Sequence, residues 1–113
     1  MSPENLERLK AWFDTYVAGF YTEDSIYNST IRLKEKHTEH VCRNMIMLGK
    51  AQGLSDQEMV LAEAMGLFHD IGRFKQYAVY GTFKDMESEN HALLGLRELA
   101  AHNVLAGCTK DEK

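Results

Sequence analysis

An all-α fold is predicted for this chain of 113 residues. Apolar residues recur at spacings of three and four along most of its length, which is the period of an amphipathic helix. Helix-start signals stand before these patterns, namely Ser2 ahead of Pro3 and Ser55 three residues ahead of Glu58. Pro3 is the only proline, so no later helix is interrupted by one.

The first helix is predicted to begin at Pro3, with Ser2 as its cap and Glu4 near the positive end of the helix dipole. A stripe of apolar and aromatic residues follows: Leu6, Leu9, Trp12, Phe13, Tyr16, Val17 and Phe20. We interpret this stripe as a core-facing surface rather than a cofactor site, because this period is the ordinary signature of packing. Residues 22–28 are predicted to form a connection.

The second helix is predicted to run from about Thr30 to Gln52 and to end at Gly53 as its C-terminal cap. One stripe of this helix is polar at its start and apolar further on: Ile31, Lys34, His37, Val41, Met45 and Leu48. His40 follows His37 by three residues, so the two imidazoles lie on neighbouring parts of the helix and compete for a ligand role.

The third helix should begin at the capping box of Ser55 and Glu58 and carry an apolar body: Met59, Val60, Ala62, Ala64, Met65, Leu67 and Phe68. His69 and Asp70 follow directly. A solubilising role explains these two polar residues poorly, because they stand at the end of an apolar, core-like helix. Gly72 is expected to let the backbone turn before Arg73. An imidazole beside a carboxylate can coordinate a divalent metal, and an arginine nearby can hold a phosphate oxygen. A short turn between antiparallel helices would return His69 to the neighbourhood of His37.

The helical pattern lapses after Phe74, through Tyr77, Tyr80, Gly81 and Thr82. We interpret this segment as a loop near the metal, either for substrate contacts or simply packed by its own aromatic rings. A last helix is predicted from Ser88, with a buried face formed by Ala92, Leu93, Leu96, Leu99 and Ala100. His91 lies early in it, where the helix dipole favours a neutral imidazole that is free to coordinate.

Composition places the chain among single globular domains, with 44% hydrophobic and 27% charged residues. A net charge of -4 argues against nonspecific binding to large nucleic acids or to anionic membranes. The sequence contains no run of 18 apolar residues and no secretory signal pattern, so we expect a cytoplasmic protein. Cys42 and Cys108 are expected to be reduced and inert.

These motifs resemble the HD superfamily of metal-dependent phosphohydrolases over about positions 30–105. His37 with Val41 one turn later resembles the first histidine of the family, and His69-Asp70-Ile71-Gly72 resembles its characteristic doublet. Residues 73–76 and 81–85, continuing to His91, resemble one bacterial branch. The spacing from His91 to Gly95 and Leu99 is also similar to HD-GYP-type proteins, in which that histidine helps to bind a second metal.

The resemblance implies a bundle of about five helices, with residues 1–113 forming a single HD domain. The family normally completes its metal site with an aspartate on a later helix. In the tail of this chain, Asp111 and Glu112 match no motif of the family. We therefore expect residues 1–113 to be the N-terminal portion of an HD domain, whose last ligand is absent or comes from another chain.

The resemblance also implies a function. One or two divalent ions (Mn, Mg, Fe, Co, Ni or Zn) would be held by His37, His69, Asp70 and His91, and a metal-activated water would hydrolyse a nucleotide or another phosphate ester. Asp70, Arg73 and Lys34 are the expected catalytic residues, and Arg73, Gln76 and Thr82 the expected substrate-binding residues. Two alternatives stay open: a noncatalytic signalling module that binds a metal or nucleotide, and a diiron oxygenase of the HD type. A homodimer is also left open, and no membrane partner is expected.

Overall fold

Five α-helices and one short 3₁₀ helix make up the part of the chain that the computed structural model describes, residues 2–105. Cys108, Asp111 and Glu112 lie outside these residues. The elements are α1 (Pro3–Ala18), α2 (Ser25–Gln52), α3 (Asp56–Phe68), α4 (Gly72–Tyr80), the 3₁₀ helix (Asp85–Glu87) and α5 (His91–Ala101). No β-strand occurs within residues 2–105, so the predicted all-α fold is confirmed. No helix in the described range is both long and apolar enough to cross a membrane.

Helix α1 follows the sequence prediction. The Ser2 hydroxyl accepts a hydrogen bond from the Asn5 backbone N–H at 3.1 Å, and Pro3 is the first helical residue. The buried face contains four of the predicted residues: Leu6, Leu9, Phe13 and Val17. The larger rings of Trp12 and Tyr16 cover the edge of this core and stack on each other with centroids 4.7 Å apart.

Helix α2 begins five residues earlier than predicted, so residues 25–28 belong to the helix and not to a connection. The Asp24 carboxylate accepts hydrogen bonds from the backbone N–H groups of Ile26 at 2.9 Å and Tyr27 at 3.1 Å. A carboxylate cap of this kind satisfies N–H groups that have no partner in the first turn. The C-terminal end agrees with the prediction, because Gly53 takes the left-handed conformation with φ of 72°.

Helices α2 and α3 run antiparallel. Gly49 lies against Met59, Cys42 against Glu63, and His37 against His69. The capping box that begins α3 is present as predicted, with the Ser55 hydroxyl and the Glu58 carboxylate each accepting the other residue's backbone N–H. The predicted return of His69 to His37 is therefore confirmed.

The apolar body of α3 buries only one side. Ala62, Ala64 and Leu67 are buried, whereas the side chain of Met65 is 60% exposed, contrary to the expectation of a uniformly core-like helix. Helix α3 contacts α2 and α1 along the buried side. Met65 points away from both.

The prediction of a loop after Phe74 is wrong. Helix α4 continues through Tyr77 to Tyr80 and ends at Gly81, which has φ of 67°. Helix α4 buries Phe74 on one side and Gln76 on nearly the opposite side, and Tyr77 stacks on Phe83 with ring centroids 4.9 Å apart. These contacts stabilise a helix in a segment whose local pattern is too weak to indicate one.

Helix α5 begins at His91, and its cap is Asn90, two residues after the predicted start signal at Ser88. The Asn90 side chain accepts hydrogen bonds from the backbone N–H groups of Ala92 and Leu93. The buried face is also rotated from the predicted one: Leu94, Gly95 and Leu99 are buried, while Leu93 and Leu96 are largely exposed. In this orientation of α5 the His91 side chain contacts Asp70 and Asp85.

Candidate metal centre

Three polar side chains converge where the turn after α3 meets the first half of α2. His37, His69 and Asp70 each offer one ligand atom, and these atoms all lie within 4.8 Å of one another. The Nε2 atoms of His37 and His69 lie 3.6 Å and 3.3 Å from Oδ2 of Asp70. Helix α2 supplies the first histidine from its interior, and the turn that directly follows α3 supplies the other two residues.

A backbone hydrogen bond fixes the His69 ring. Its Nδ1 lies 2.7 Å from the carbonyl oxygen of Gly66, one turn earlier in α3. A carbonyl oxygen only accepts, so Nδ1 must carry the proton that is shared. In the neutral ring Nε2 then presents its lone pair to Asp70, which is the tautomer that a metal-binding histidine needs.

These spacings fit a divalent ion. Ligand atoms about 2.1 Å from an ion at tetrahedral angles lie roughly 3.4 Å apart from each other. The two imidazole-to-carboxylate distances, 3.6 Å and 3.3 Å, fall on either side of that value. A lone pair facing a carboxylate at such a distance is unfavourable unless a positive charge, either a proton or a metal ion, lies between them.

The three donors are open to solvent on one side. The side chains of His37 and His69 are 48% and 35% exposed, whereas that of Asp70 is only 13% exposed. Structural zinc sites use four protein ligands and are closed, while catalytic sites use three and leave a position for water or substrate. Two histidines and one carboxylate with an exposed side match the catalytic type.

His91 approaches the other oxygen of Asp70. Its Nε2 lies 3.4 Å from Oδ1, and its Nδ1 lies 3.0 Å from Oδ2 of Asp85. A proton on Nδ1 shared with Asp85 would leave Nε2 free, as in His69. Asp70 therefore has imidazoles on both of its oxygens, an arrangement that would let it bridge two ions.

Asp85 is a site residue that sequence reasoning missed. It lies in the short 3₁₀ helix, and hydrogen bonds from His91 and then Gln76, together with the charge of Arg73, hold the pKa of its carboxyl below the ordinary value. The segment that resembles the bacterial branch includes Asp85, yet nothing about its spacing assigned it a role.

Arg73 is held by the segment that precedes α5. Its Nη1 donates to the carbonyl oxygen of Phe83 at 2.7 Å, to Gln76 at 3.1 Å and to Asp85 at 3.3 Å. Its buried Nε has no hydrogen-bond partner among residues 2–105 and lies 3.8 Å from Oδ1 of Asp70. Arg73 thus contributes positive charge beside the candidate ligands, but its Nη1 already donates hydrogen bonds within the protein.

Gln76 has a structural position. Its side chain is fully buried, and Nε2 donates to Asp85 at 2.9 Å and to the Ser88 hydroxyl at 3.0 Å. A substrate has no route to this amide while the network is intact. The burial argues against the predicted substrate-binding role and for a role in holding Asp85.

Lys34 contacts the segment of residues 82–85, and Thr82 is the first residue of that segment. The ammonium of Lys34 sits 4.7 Å from the ring centre of Phe83, a cation–π contact that directs it along α2 toward residues 82–85. The Thr82 hydroxyl accepts a hydrogen bond from the backbone N–H of Lys84 at 3.1 Å. Their roles in substrate binding stay predictions.

Replacing Gln76 with leucine is expected to lower the free energy of unfolding by about 1–3 kcal/mol, because the hydrogen bonds of this buried amide with Arg73, Asp85 and Ser88 are lost. Urea unfolding would measure the change. Gln57→Leu is the matched control, since Gln57 is exposed in the first turn of α3 and should leave stability nearly unchanged. Equal effects of the two substitutions would contradict the structural role of Gln76.

Comparisons with protein-family models, with curated proteins and with solved structures find no match for this chain. The assignment of a function therefore depends on the motifs and on the geometry of the centre.

Proposed function

We propose that the protein is a metal-dependent phosphohydrolase of the HD superfamily that acts on a nucleotide or another phosphate ester. The observation that supports it most is the convergence of His37, His69 and Asp70, whose ligand atoms lie within 4.8 Å of one another on an exposed side of the protein. Two imidazoles and one carboxylate are donors that a divalent ion accepts, and three of them leave room for a substrate.

A divalent ion in this centre would supply Lewis acidity and lower the pKa of a bound water toward neutrality. The protein's own residues set the geometry for that chemistry. The carbonyl of Gly66 fixes the ring of His69 through the 2.7 Å contact at Nδ1, and Asp85 holds the ring of His91 in the same way at 3.0 Å. Both imidazoles thereby present Nε2 to the centre without rearrangement.

Positive charge beside the centre would bind the phosphate group. Arg73 is only 19% exposed and its Nε lies 3.8 Å from Asp70, so its charge is poorly screened by water. Lys34, one turn before His37, offers a longer and more mobile ammonium. In this proposal Arg73 acts chiefly through its fixed charge, and Lys34 makes the direct contact with a phosphate oxygen.

An iron-dependent oxygenase is the second candidate, and the same donor set favours it. Two histidines and one carboxylate with open positions are also the ligands of non-haem iron oxygenases. His91, 3.4 Å from the second oxygen of Asp70, would extend the centre to two ions. Iron content together with oxygen consumption would distinguish this candidate from a hydrolase.

The test is the metal content of the purified chain, measured by mass spectrometry after loading with manganese, magnesium, cobalt or iron and removal of free ions. Hydrolysis of p-nitrophenyl phosphate, bis(p-nitrophenyl) phosphate and nucleoside monophosphates would be assayed in parallel. We expect about one or two ions per chain and turnover that depends on them.

Each other outcome has a definite meaning. A folded helical chain that binds none of these ions would overturn the metal centre and the hydrolase together. Bound metal and bound nucleotide without turnover would replace the hydrolase with a noncatalytic binding module. Circular dichroism on the same samples would show that the helices are intact.

A further inference from the structure

Phe83 contacts both cations of the candidate centre. Its carbonyl oxygen accepts a hydrogen bond from Nη1 of Arg73 at 2.7 Å, and its ring centre lies 4.7 Å from the ammonium of Lys34. Arg73 lies beside the candidate ligands, with Nε 3.8 Å from Oδ1 of Asp70. Lys34 precedes His37 by three residues, so both side chains leave α2 from neighbouring positions. Phe83 therefore links the two positive charges beside the centre.

The ring of Phe83 is held in place by its neighbours. Tyr77 of α4 stacks on it, with ring centroids 4.9 Å apart and planes inclined by 26°. The backbone around the ring is also fixed, because the Phe83 carbonyl is bound and the Thr82 hydroxyl accepts the backbone N–H of Lys84 at 3.1 Å. The face of an aromatic ring carries negative charge density that attracts a cation. A ring held in this way gives the flexible stem of Lys34 a preferred end point.

Lys34 has no carboxylate partner among residues 2–105, where the contact of its ammonium is with the ring. Other lysines in the same range do pair with carboxylates: Lys10 with Glu63, Lys75 with Glu98 and Lys84 with Glu87. A carboxylate would neutralise the ammonium and occupy its N–H groups, whereas a phenyl ring carries no net charge. The charge and the hydrogen-bond donors of Lys34 therefore stay available to an anion.

We propose that Phe83 is a positioning residue for the phosphate group of the substrate. Its ring holds the ammonium of Lys34 beside the metal centre, and this ammonium then binds a phosphate oxygen. The inference rests on the phosphohydrolase function proposed above and adds the residue that orders Lys34 before the substrate arrives. Binding is stronger when a side chain is already ordered, because less conformational freedom is lost with the ligand.

Four substitutions isolate this contact. Phe83→Leu removes the ring but keeps the backbone carbonyl that holds Arg73, and Phe83→Tyr restores an aromatic face. Lys34→Met removes the charge and keeps an unbranched side chain. Tyr21→Leu is the matched control, because it removes a different cation–π contact of α2, in which the guanidinium of Arg32 lies 5.6 Å from the Tyr21 ring centre.

The measurement is the affinity of the manganese-loaded chain for inorganic phosphate, by isothermal titration calorimetry. Phe83→Leu should weaken it about 2–5-fold, the range of an exposed cation–π contact, and Lys34→Met at least about 10-fold. Phe83→Leu should cause no further loss in the Lys34→Met background. Phe83→Tyr and Tyr21→Leu should bind phosphate as the parent chain does, and every variant should hold as much manganese as the parent.

Two further readouts separate positioning from packing. In Phe83→Leu the KM for p-nitrophenyl phosphate should rise by the same factor with kcat unchanged, because a contact made equally in the bound substrate and in the transition state changes binding alone. Without metal, the ring current of Phe83 should shift the ε-CH₂ protons of Lys34 upfield in the NMR spectrum. Lys34→Met assigns this signal, and Phe83→Leu should abolish the shift.

Each failure has its own meaning. A parent chain that binds manganese but neither binds phosphate nor hydrolyses phosphate esters would overturn the phosphohydrolase, and the role of Phe83 with it. If the parent binds phosphate and Phe83→Leu binds it equally or more tightly, only the role of Phe83 is overturned. Fully additive losses from Phe83→Leu and Lys34→Met would overturn it too, because the two residues would then act independently. Absence of the ring-current shift in the parent chain decides against the contact even if Phe83→Leu does not fold.

Discussion

Replacing His69 with alanine should lower the affinity for a divalent metal by at least about 100-fold. Removal of an outer-shell partner alone typically weakens a metal site by 10–100-fold, and His69 is proposed as a direct ligand. Its Nε2 lies 3.3 Å from Asp70 and its ring is fixed by Gly66, so no neighbouring imidazole takes its place. Equilibrium titration with manganese or cobalt would measure the change.

His102→Ala is the first control. His102 is exposed, and its ring lies 5.8 Å from Trp12 and 5.4 Å from Tyr16, away from the candidate ligands. Its removal should leave metal binding unchanged. If His69→Ala and His102→Ala reduced bound metal equally, the ligand assignment would be wrong.

A second matched pair of substitutions, at His37 and His40 in α2, tests which of these two histidines is the metal ligand. His37→Ala should also release the metal, whereas His40→Ala should not. His40 is exposed, and its Nδ1 lies 3.2 Å from Nη2 of Arg43 on the helix surface. Loss of metal from His40→Ala alone would transfer the ligand role to that residue.

Replacing Gly72 with alanine should lower the free energy of unfolding by about 3 kcal/mol, the upper part of the usual cost of overpacking. A Cβ at Gly72 would overlap the carbonyl oxygen of His91 and lie 2.7 Å from the backbone nitrogen of Gly95. Both are backbone atoms of α5, so no side chain can move aside. Helix α5 would have to separate from α4, and His91 would leave Asp70. Urea unfolding would measure the loss of stability.

Gly81→Ala is the control for the Gly72 substitution. Gly81 has φ of 67°, and a Cβ there would meet nothing within 4 Å. The left-handed conformation alone costs an alanine about 1 kcal/mol. If the two glycine substitutions destabilised the protein equally, the close approach of α4 and α5 would not be important for stability.

The number of bound ions is a second measurement for Gly72→Ala, because this substitution should remove His91 from the centre. If the centre holds two ions, the variant should bind one fewer than the parent chain at a temperature where both are folded. Retention of both ions would show that His91 is not needed for the second one.

Local signals in the sequence were enough for three helix ends, namely the starts of α1 and α3 and the end of α2. The Ser2 cap, the Ser55 and Glu58 capping box and the Gly53 C-cap act through hydrogen bonds within about four residues, so a short stretch of sequence contains all the partners. The stripe of α1 was equally readable, since its period alone reports the buried side. The spacing of His37 and His69 also indicated that an antiparallel pair of helices would bring them together.

Other features depended on partners distant in the sequence. Helix α4 was mistaken for a loop because contacts of Tyr77 and Phe83 stabilise it, and no local pattern contains them. The face of α5 was misplaced because Gly72 and Gly95 allow the two backbones to approach, which decides the rotation of α5 independently of where its leucines fall. The observed rotation of α5 allows close packing of the two helices and leaves Leu93 and Leu96 exposed.

The sequence by itself determined the helical class, the starts of α1 and α3, the end of α2, and the candidate pair of His69 and Asp70. Only the tertiary structure decided that Asp85 faces His91 and Gln76, and that Gln76 is fully buried. The reason is physical: capping and helical periodicity are satisfied within one or two turns, whereas burial and side-chain hydrogen bonds depend on which helices meet.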